Sequence, residues 1–275
     1  MERRMSADGV QLPYTSVSFS ADITLEKELD AVVLVDRAER DTLWEKTMLV
    51  RFSGRRRVLG TNNGFLRARA LMNHAAHPDL WHKAEEAVKD GRVCGGRRYL
   101  EGTRKTAAVR LGISVAELAH MGTAADLDNG VIVTWKWPPF TVAALVTAGA
   151  ETNALRIGRD EGTAMETDIG PAGTVNIIIL TNARLSHAAM ARAIITVTEA
   201  KTAAFEDLMV PSSYTKGIQA TGTGTDNVII ASGNSGPKVT YTGGHGRIGC
   251  LIGRAVHRAV IEALGRQNGF RLMRG

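Results

Sequence analysis

The run TVNIIIL at residues 174–180 constrains the fold most strongly, because successive branched apolar side chains predict a strand buried in a sheet. The segment that follows, residues 186–208, is alanine-rich and begins with Ser186, a favourable N-cap. We therefore predict a long and largely buried helix there. A buried strand that leads into a buried helix requires packed layers. The sequence predicts an α+β fold, a layered mixed sheet with packed helices.

The rest of the chain alternates between strand-like and helical patterns. Two prolines in the segment 136–140 break any helix between the apolar runs 130–135 and 141–149, which predicts two strands joined by a turn. Ser114 and Glu117 have the spacing of a capping box ahead of a short helix over 116–122. The other predicted elements are two short strands within 47–60 around the turn Ser53-Gly54, a strand at 64–73, helical structure over 79–111, strands at 227–232 and 238–242, and a final helix over 246–266.

Two segments, 121–149 and 221–244, resemble each other. Each has Gly-Thr, small residues, an aspartate, an asparagine and then a hairpin pattern that ends in glycine. This similarity predicts an internal duplication of a strand–helix–hairpin–helix unit, with halves at 47–160 and 172–266 and a polar linker at 159–173. The alternative is chance similarity between glycine-rich loops. If the duplication holds, the two aspartate loops face each other across one cleft.

The charge and aromatic content of the chain argue against a nucleic-acid-binding protein. The net charge of +6 suits an anionic partner, but aromatic residues make up only 5% and do not alternate with the basic ones. We therefore expect surface charge and no nucleic-acid partner. The basic excess lies in clusters at 1–4, 55–57, 97–98 and 266–274.

Three features of the sequence bear on the compartment. The N-terminus lacks the apolar core of a secretory signal, and no run approaches the ~18 apolar residues needed to span a bilayer. Cys94 and Cys250 give neither a disulfide framework nor a metal-binding spacing. We expect a soluble, cytoplasmic protein with no membrane partner.

The segment ATGTGTD, residues 220–226, is denser in glycine and threonine than an ordinary turn requires. In one interpretation it is only a tight turn in which Asp226 binds nearby amides. In a second, its backbone amides cradle an anion or an oxyanion. In a third, Thr221, Thr223 or Thr225 is a nucleophile with a base in reach. We favour a binding role over the purely structural one.

Three other patterns are less specific. GHGRIG at 244–249 matches the dinucleotide fingerprint, but too few residues follow it to complete a nucleotide-binding fold, so we interpret it as coincidental. On the helix at 186–208, Arg192, Thr196 and Glu199 form one stripe with Lys201 to one side, which fits either a solvent-facing surface or an acid/base set. His74 and His77 have no third ligand nearby, so we predict no metal site.

Several pieces together resemble the adenosylcobinamide amidohydrolase family. The most distinctive are TEAKTAA at 198–204 and ATGTGTD at 220–226. In the first half of the chain VRFSGRRRVLGTNNG, LMNH and GTAADLDNGVIV resemble the family in the same order, and YTGGHGRIGCLIGRAV does so near the end. The resemblance runs from about 47 to 264, so we assign 1–46 to an N-terminal extension and 47–275 to the amidohydrolase domain. TWKWPPF is unusually tryptophan-rich for the family.

The resemblance implies hydrolysis of the amide that joins the aminopropanol arm to the corrin ring of adenosylcobinamide, giving adenosylcobyric acid. From the residues we predict Glu199 and Asp226 as acid/base groups tuned by Lys201, with Glu199 reaching towards the loop 220–226. The amides of Gly222–Thr225 are the predicted oxyanion or substrate donors. The nucleophile is either Thr225 or a water molecule. We predict no cofactor, and the sequence leaves open whether a divalent metal is needed. The predicted substrate-binding residues are Thr221, Gly222, Thr223, Gly224, Asn176, Asp126, Asn153 and His245.

Two other functions remain at this stage. A corrinoid-binding protein without hydrolytic activity would need the same pocket but not the carboxylates. A nucleotide-dependent oxidoreductase rests on GHGRIG alone. Edge strands beside short glycine turns make a homodimer a reasonable expectation.

Overall fold

The computed structural model describes residues 14–19, 23–87, 95–161 and 173–272. Cys94 and most of the predicted linker at 159–173 lie outside these residues.

A nine-stranded mixed sheet forms the body of the fold. Its strands are β1 Tyr14–Ser18, β2 Ala31–Arg40, β3 Leu43–Gly60, β4 Gly64–Ala76, β5 Leu118–Thr123, β6 Val131–Trp137, β7 Phe140–Ala148, β9 Val175–Thr181 and β12 Asn227–Ala231. Their order is β1-β6-β7-β9-β12-β3-β4-β5, and β2 pairs with β3. The pairs β9–β12 and β4–β5 are parallel and the other pairs are antiparallel.

Four short strands pair separately. They are β8 Ala154–Leu155 with β11 Gly222–Thr223, and β10 Arg184–Leu185 with β13 Lys238–Val239. Together with the helices described below, the mixed sheet confirms the predicted α+β class.

The large sheet curls so that strands far apart in its order meet. The side-chain nitrogen of Asn176 on β9 donates to Asn73 Oδ1 on β4, at 2.8 Å, and to the carbonyl of Gly122 on β5, at 3.1 Å. Side chains from both ends of the sheet share one core, including Leu71 of β4 and Ile178 of β9. The sheet therefore encloses apolar side chains on one face.

The two long helices α3 His187–Asp207 and α4 Arg247–Asn268 pack on the other face. Ile177 and Ile179 of β9 point into this second core, while the intervening Ile178 points into the first. All of β9 is buried because it is covered on both faces, as the branched run predicts. Ser186 caps α3 by accepting from the amide of Ala189 at 3.1 Å, which confirms the predicted cap.

A third layer packs on β3 and β4. It consists of α1 Pro78–Glu86 and α2 Gly95–Leu111, so the helical structure predicted over 79–111 is confirmed in the described residues as two helices. Ala107 and Ala108 of α2 pack against Leu49 and Met72 of the sheet. Single 3-10 turns occur at Lys27–Leu29, Val115–Glu117 and Leu127–Asn129.

Two local predictions are wrong. Residues 47–60 form one strand, because pairing with β4 resumes after a register shift between Arg51 and Arg56; the chain bulges at Ser53-Gly54 where a reversal was expected. The capping box of Ser114 and Glu117 is present but closes only a 3-10 turn. The residues after it join β4 as strand β5, because tertiary pairing overrides the helical pattern.

The predicted duplication fails at its hairpins. Strands β6 and β7 form a hairpin over residues 131–148, as expected. In the segment 221–244, however, β12 pairs with β9 and β3, while β13 pairs with β10 in another sheet. The glycine-rich turn at 232–237 therefore connects two sheets. It does not reverse the chain within one.

The sheet also includes strands from the region assigned to the N-terminal extension. Strand β2 pairs along ten registered positions with β3, which itself crosses the boundary at 46/47. Strand β1 pairs with β6.

One member of an arginine cluster is not a surface residue. Arg56 is 1% exposed, lies 4.4 Å from the Phe52 ring and donates to the carbonyls of Leu29 and Asp30. Burial lowers its pKa. Arg56 therefore holds the segment before β2 by hydrogen bonds from inside the protein. Arg55 beside it is exposed, as predicted.

Candidate active site

Helix α3 presents a lysine to the protein interior. Lys201 lies four residues after Val197 and four before Phe205, so all three share the buried face of the helix. Lys201 is only 8% exposed. Its position follows from the apolar periodicity of α3.

Asp226, the last residue of the loop 220–226, forms an ion pair with this lysine. Lys201 Nζ pairs with Asp226 Oδ2, and the two side chains are 10% and 16% exposed. Thr223 Oγ1 donates to Asp226 Oδ1 at 2.5 Å, and the amides of Thr223 and Val175 donate to the same carboxylate at 3.2 and 3.1 Å. A partly buried carboxylate surrounded in this way has its charge compensated. Thr223, Asp226 and Lys201 form a cluster that we call the loop site.

Gly222 lies directly against the ion pair. A Cβ at this position would overlap both Lys201 Nζ and Asp226 Oδ2. Glycine therefore lets the backbone approach the pair closely, and the sequence TGTGTD has a steric reason for at least this glycine.

The loop is fixed to its surroundings on two sides. Thr202 of α3 donates to the carbonyl of Thr221 at 3.1 Å. On the other side, the amide of Thr221 donates to the carbonyl of Leu155 at 2.9 Å, and the amide of Ile157 donates to Thr221 Oγ1 at 3.0 Å. These bonds hold the loop site against α3.

The structure assigns Thr225 a different place from the predicted one. Its hydroxyl donates to the carbonyl of Gly173 at 3.0 Å, whereas Thr223 is the threonine bonded to Asp226. The amide of Thr225 donates to Thr223 Oγ1 at 3.4 Å, and that of Thr223 donates to Asp226. Two of the amides predicted as oxyanion donors within Gly222–Thr225 are thus engaged inside the loop. The three-residue spacing between Thr223 and Asp226 is the signal for this local bond.

Glu199 does not reach the loop. It is exposed and makes no hydrogen bond or ion pair with the described part of the chain. Residues two apart on a helix differ by about 200° in direction, so Glu199 lies on the face of α3 opposite Lys201. The prediction that Glu199 reaches towards the loop is therefore wrong. Lys201 is the residue of α3 whose side chain contacts Asp226 of the loop.

Asn176 belongs to a line of hydrogen-bonded side-chain amides beside the loop 220–226. Besides its bonds to β4 and β5, its Oδ1 accepts from Asn227 Nδ2 at 3.4 Å, and Asn227 Nδ2 also donates to the carbonyl of Thr225 at 2.9 Å. Asn73 in turn donates to Thr147 at 3.0 Å. This line connects the loop 220–226 to the middle of the sheet.

Asn153 lies near the same loop. Its Nδ2 donates to the carbonyl of Gly173, which also accepts from Thr225. Its Oδ1 is buried and accepts no hydrogen bond from the described residues.

The structure does not bring the two remaining predicted residues to the loop site. Asp126 caps a 3-10 turn by accepting from the amide of Asp128 at 2.9 Å, and it pairs with Lys46 at 2.6 Å. His245 is exposed just before α4 and has no hydrogen bond or ion pair within the described chain. The predicted cleft between two related aspartate loops was the basis for including Asp126, and the missing second hairpin removes that basis.

The chain matches one known protein family over most of its length. A family model described as adenosylcobinamide amidohydrolase matches residues 31–271. The chain belongs to this family. The match begins at the first residue of β2, earlier than the resemblance in the sequence suggested, and it includes the whole loop site.

Individual relatives support membership in the adenosylcobinamide amidohydrolase family. The chain is 39% identical over 240 residues to an uncharacterized protein of Methanocaldococcus jannaschii, a match that covers 82% of this chain and 89% of that protein. It is also similar to two proteins named adenosylcobinamide amidohydrolase. The Methanosarcina mazei protein is 40% identical over 102 residues, and that of Halobacterium salinarum is 30% identical over 124 residues. The matched segments span only 47% and 50% of those two proteins.

In the described residues, histidine, cysteine, aspartate and glutamate side chains form no group of three that could hold a metal ion. None of the described helices is both long and apolar enough to cross a membrane.

Proposed function

We propose that this protein hydrolyses adenosylcobinamide, cleaving the amide between the aminopropanol arm and the corrin ring in the cytoplasm. The observation that carries the proposal is the loop site, in which a hydroxyl and an ammonium group are both hydrogen-bonded to one carboxylate. The chain that contains this site belongs to the adenosylcobinamide amidohydrolase family. A nucleophile, a base and a group that orients the base constitute the arrangement that acyl transfer requires.

Each group of the loop site has a role in the proposed reaction. Thr223 Oγ1 attacks the amide carbon, and its proton passes to Asp226. Lys201 holds Asp226 in place and supplies a proton to the departing amine, which leaves as aminopropanol. Asp226 then passes the threonine proton to Lys201, so both groups regain their starting charge. Water then cleaves the ester formed on Thr223 and releases the corrinoid carboxylic acid. A proton transfer by a positioned side chain contributes ~10²-fold or more to such a rate.

A second candidate function is corrinoid binding without cleavage. Asp226 already accepts hydrogen bonds from Thr223 and Val175 in addition to its ion pair, and such saturation is also typical of a structural carboxylate. Under this alternative the loop site only shapes a binding collar.

One assay separates the two candidates. Purified protein is incubated with adenosylcobinamide, and free aminopropanol and adenosylcobyric acid are followed together. Release of both in equal amounts supports the proposal. Tight binding with no release favours the carrier. If the protein neither binds nor cleaves adenosylcobinamide, both candidates are contradicted.

A further inference from the structure

A cavity of about 540 Å³ lies where α1 and α2 face strands β2 to β4. Such a volume is typical of pockets for small molecules. Its wall combines small residues with polar ones, among them Ala38, Ala84, Gly95, Glu45, Thr47, His74, Arg98 and Tyr99. The proposed cleavage of adenosylcobinamide uses none of these polar side chains.

Four of the polar residues form a continuous hydrogen-bonded chain. Thr47 Oγ1 lies 2.8 Å from His74 Nδ1, His74 Nε2 lies 2.9 Å from the Tyr99 hydroxyl, and that hydroxyl is bonded to Glu45 Oε1. Glu45 and His74 are 9% and 2% exposed. We call these residues the relay.

The direction of each hydrogen bond in the relay follows from the carboxylate of Glu45 at one end. An ionised Glu45 can only accept, so the Tyr99 hydroxyl donates to it. The Tyr99 oxygen is then free to accept from His74, which places the imidazole proton on Nε2. Nδ1 therefore carries a lone pair, and the Thr47 hydroxyl must donate to it. The threonine proton thus rests on a base while the threonine oxygen lines the cavity.

The charge state of the imidazole fits this assignment. Burial lowers the pKa of His74 to about 4, against the raising effect of Glu45 and with a further lowering by Arg40. Among the described residues, these two and Tyr99 are the titratable or charged groups that act on the ring. At neutral pH the ring is therefore neutral and can accept the proton of Thr47.

We propose that the cavity is a second hydrolytic centre, in which Thr47 is the nucleophile, His74 is the general base, and Tyr99 and Glu45 are positioning residues. Thr47 Oγ1 forms a bond to the acyl carbon of the substrate, and its proton moves to His74 Nδ1. The bond to the leaving group then breaks, and that group takes the proton from His74. Water cleaves the Thr47 ester in a second step of the same kind and regenerates the hydroxyl. The ordering of nucleophile, base and orienting group is the same in other covalent hydrolases.

Arg98 indicates the class of substrate. It lines the cavity, is exposed, and has no hydrogen bond or ion pair with the described residues. A guanidinium that no described residue neutralises is suited to bind carboxylates. The centre therefore takes small esters or amides that also carry a carboxylate. This activity is independent of adenosylcobinamide cleavage at the loop site.

The probe is mono-p-nitrophenyl succinate, an anionic ester small enough for the cavity. The wild-type protein should release p-nitrophenol in a burst, followed by a slower steady rate. Mass spectrometry of the rapidly quenched protein should find the succinyl group on Thr47. Release without a burst, or succinyl groups on lysines alone, would overturn the proposal.

Variants separate the relay from ordinary surface reactivity. Thr47→Val keeps the shape of the side chain and should abolish both the burst and the adduct. Thr106→Val is the matched control, since Thr106 lines the same cavity but its hydroxyl donates to the carbonyl of Gly102 at 3.2 Å; its burst should equal that of the wild type. A full burst in Thr47→Val contradicts the proposal.

The positioning role has its own readout. In the wild type the acylation rate should rise with pH through about 4, because His74 must be unprotonated to act. Tyr99→Phe removes the acceptor of the Nε2 proton, so acylation should fall about tenfold and its pH midpoint should move. An unchanged midpoint and rate in Tyr99→Phe would show that Tyr99 does not position His74.

Discussion

The loop site and the relay each place a threonine hydroxyl against a base, but they compensate their carboxylates differently. Asp226 is paired directly with the ammonium group of Lys201. Glu45 contacts the exposed Arg40 at 3.3 Å, and inside the protein it is bonded to the neutral hydroxyl of Tyr99. The loop site therefore depends on an internal cation, whereas the relay depends on the neutrality of an imidazole. Changes in charge should disrupt the first and changes in pH the second.

The largest effect is expected from removing the internal cation. Lys201→Met leaves the partly buried carboxylate of Asp226 without its partner and should lower the free energy of unfolding by about 3 kcal/mol. Urea denaturation measures this change. Adding Asp226→Asn to that variant should restore much of the loss, because the uncompensated charge is gone. Additive losses in the double variant would mean that the two residues do not act as a pair.

Acidification should act on the relay. His74 has a folded pKa of about 4 and an ordinary value of 6.5, so the unfolded chain binds more protons between these values and stability falls as pH falls through this window. From pH 7 to pH 5 the contribution of His74 amounts to about 2 kcal/mol. His120, whose pKa burial also lowers to about 4, acts in the same direction.

Denaturation of His74→Gln at several pH values tests this expectation. The variant should show a flatter pH dependence than the wild type. His82→Gln, which alters an exposed histidine, is the control and should keep the wild-type slope. Equal slopes in His74→Gln and the wild type would contradict a neutral His74 in the folded protein.

A steric change should separate the ion pair without removing a charge. Gly222→Ala brings a methyl group into overlap with Lys201 Nζ and Asp226 Oδ2, so the pair must shift, and we expect turnover of adenosylcobinamide to fall at least tenfold, or about 1.4 kcal/mol in activation free energy. Gly224→Ala is the matched control, since a Cβ there meets only the Leu155 side chain at 3.1 Å. Similar turnover in the two variants would remove the steric argument for Gly222.

The smallest effect is expected at the exposed threonine of the loop. Thr225→Val loses one hydrogen bond to the carbonyl of Gly173 and should cost under about 1 kcal/mol of stability, with turnover near that of the wild type. Thr223→Val removes the proposed nucleophile and should abolish turnover. The reverse ranking of the two variants would return the catalytic role to Thr225.

Local patterns in the sequence predicted the elements whose structure is decided locally. The prolines at 138 and 139 placed the β6–β7 hairpin, and the branched run placed β9. The bulge in β3, the strand β5 and the burial of Arg56 depend on partners distant in the chain, so sequence periodicity could not show them.

The candidate site divides in the same way. Asp226 and Lys201 were recognised from residue type and motif, and the four-residue spacing to Val197 and Phe205 could have shown that Lys201 points inward. Glu199 was included because residue type was weighed without the direction of its side chain. The relay escaped notice because Glu45, His74 and Tyr99 come from three different elements, which only the packing of α2 on the sheet brings together.

The most direct test of the loop site compares two carboxylates close to Lys201 in space or in sequence. Asp226→Asn and Glu199→Gln each remove one negative charge and keep the side-chain shape, and aminopropanol release at saturating adenosylcobinamide is measured for both. We predict that Asp226→Asn lowers turnover by ~10²-fold or more, as expected for a lost general base, while Glu199→Gln matches the wild type. Wild-type turnover in Asp226→Asn, or loss of turnover in Glu199→Gln, would contradict the assignment of amide cleavage to the loop site.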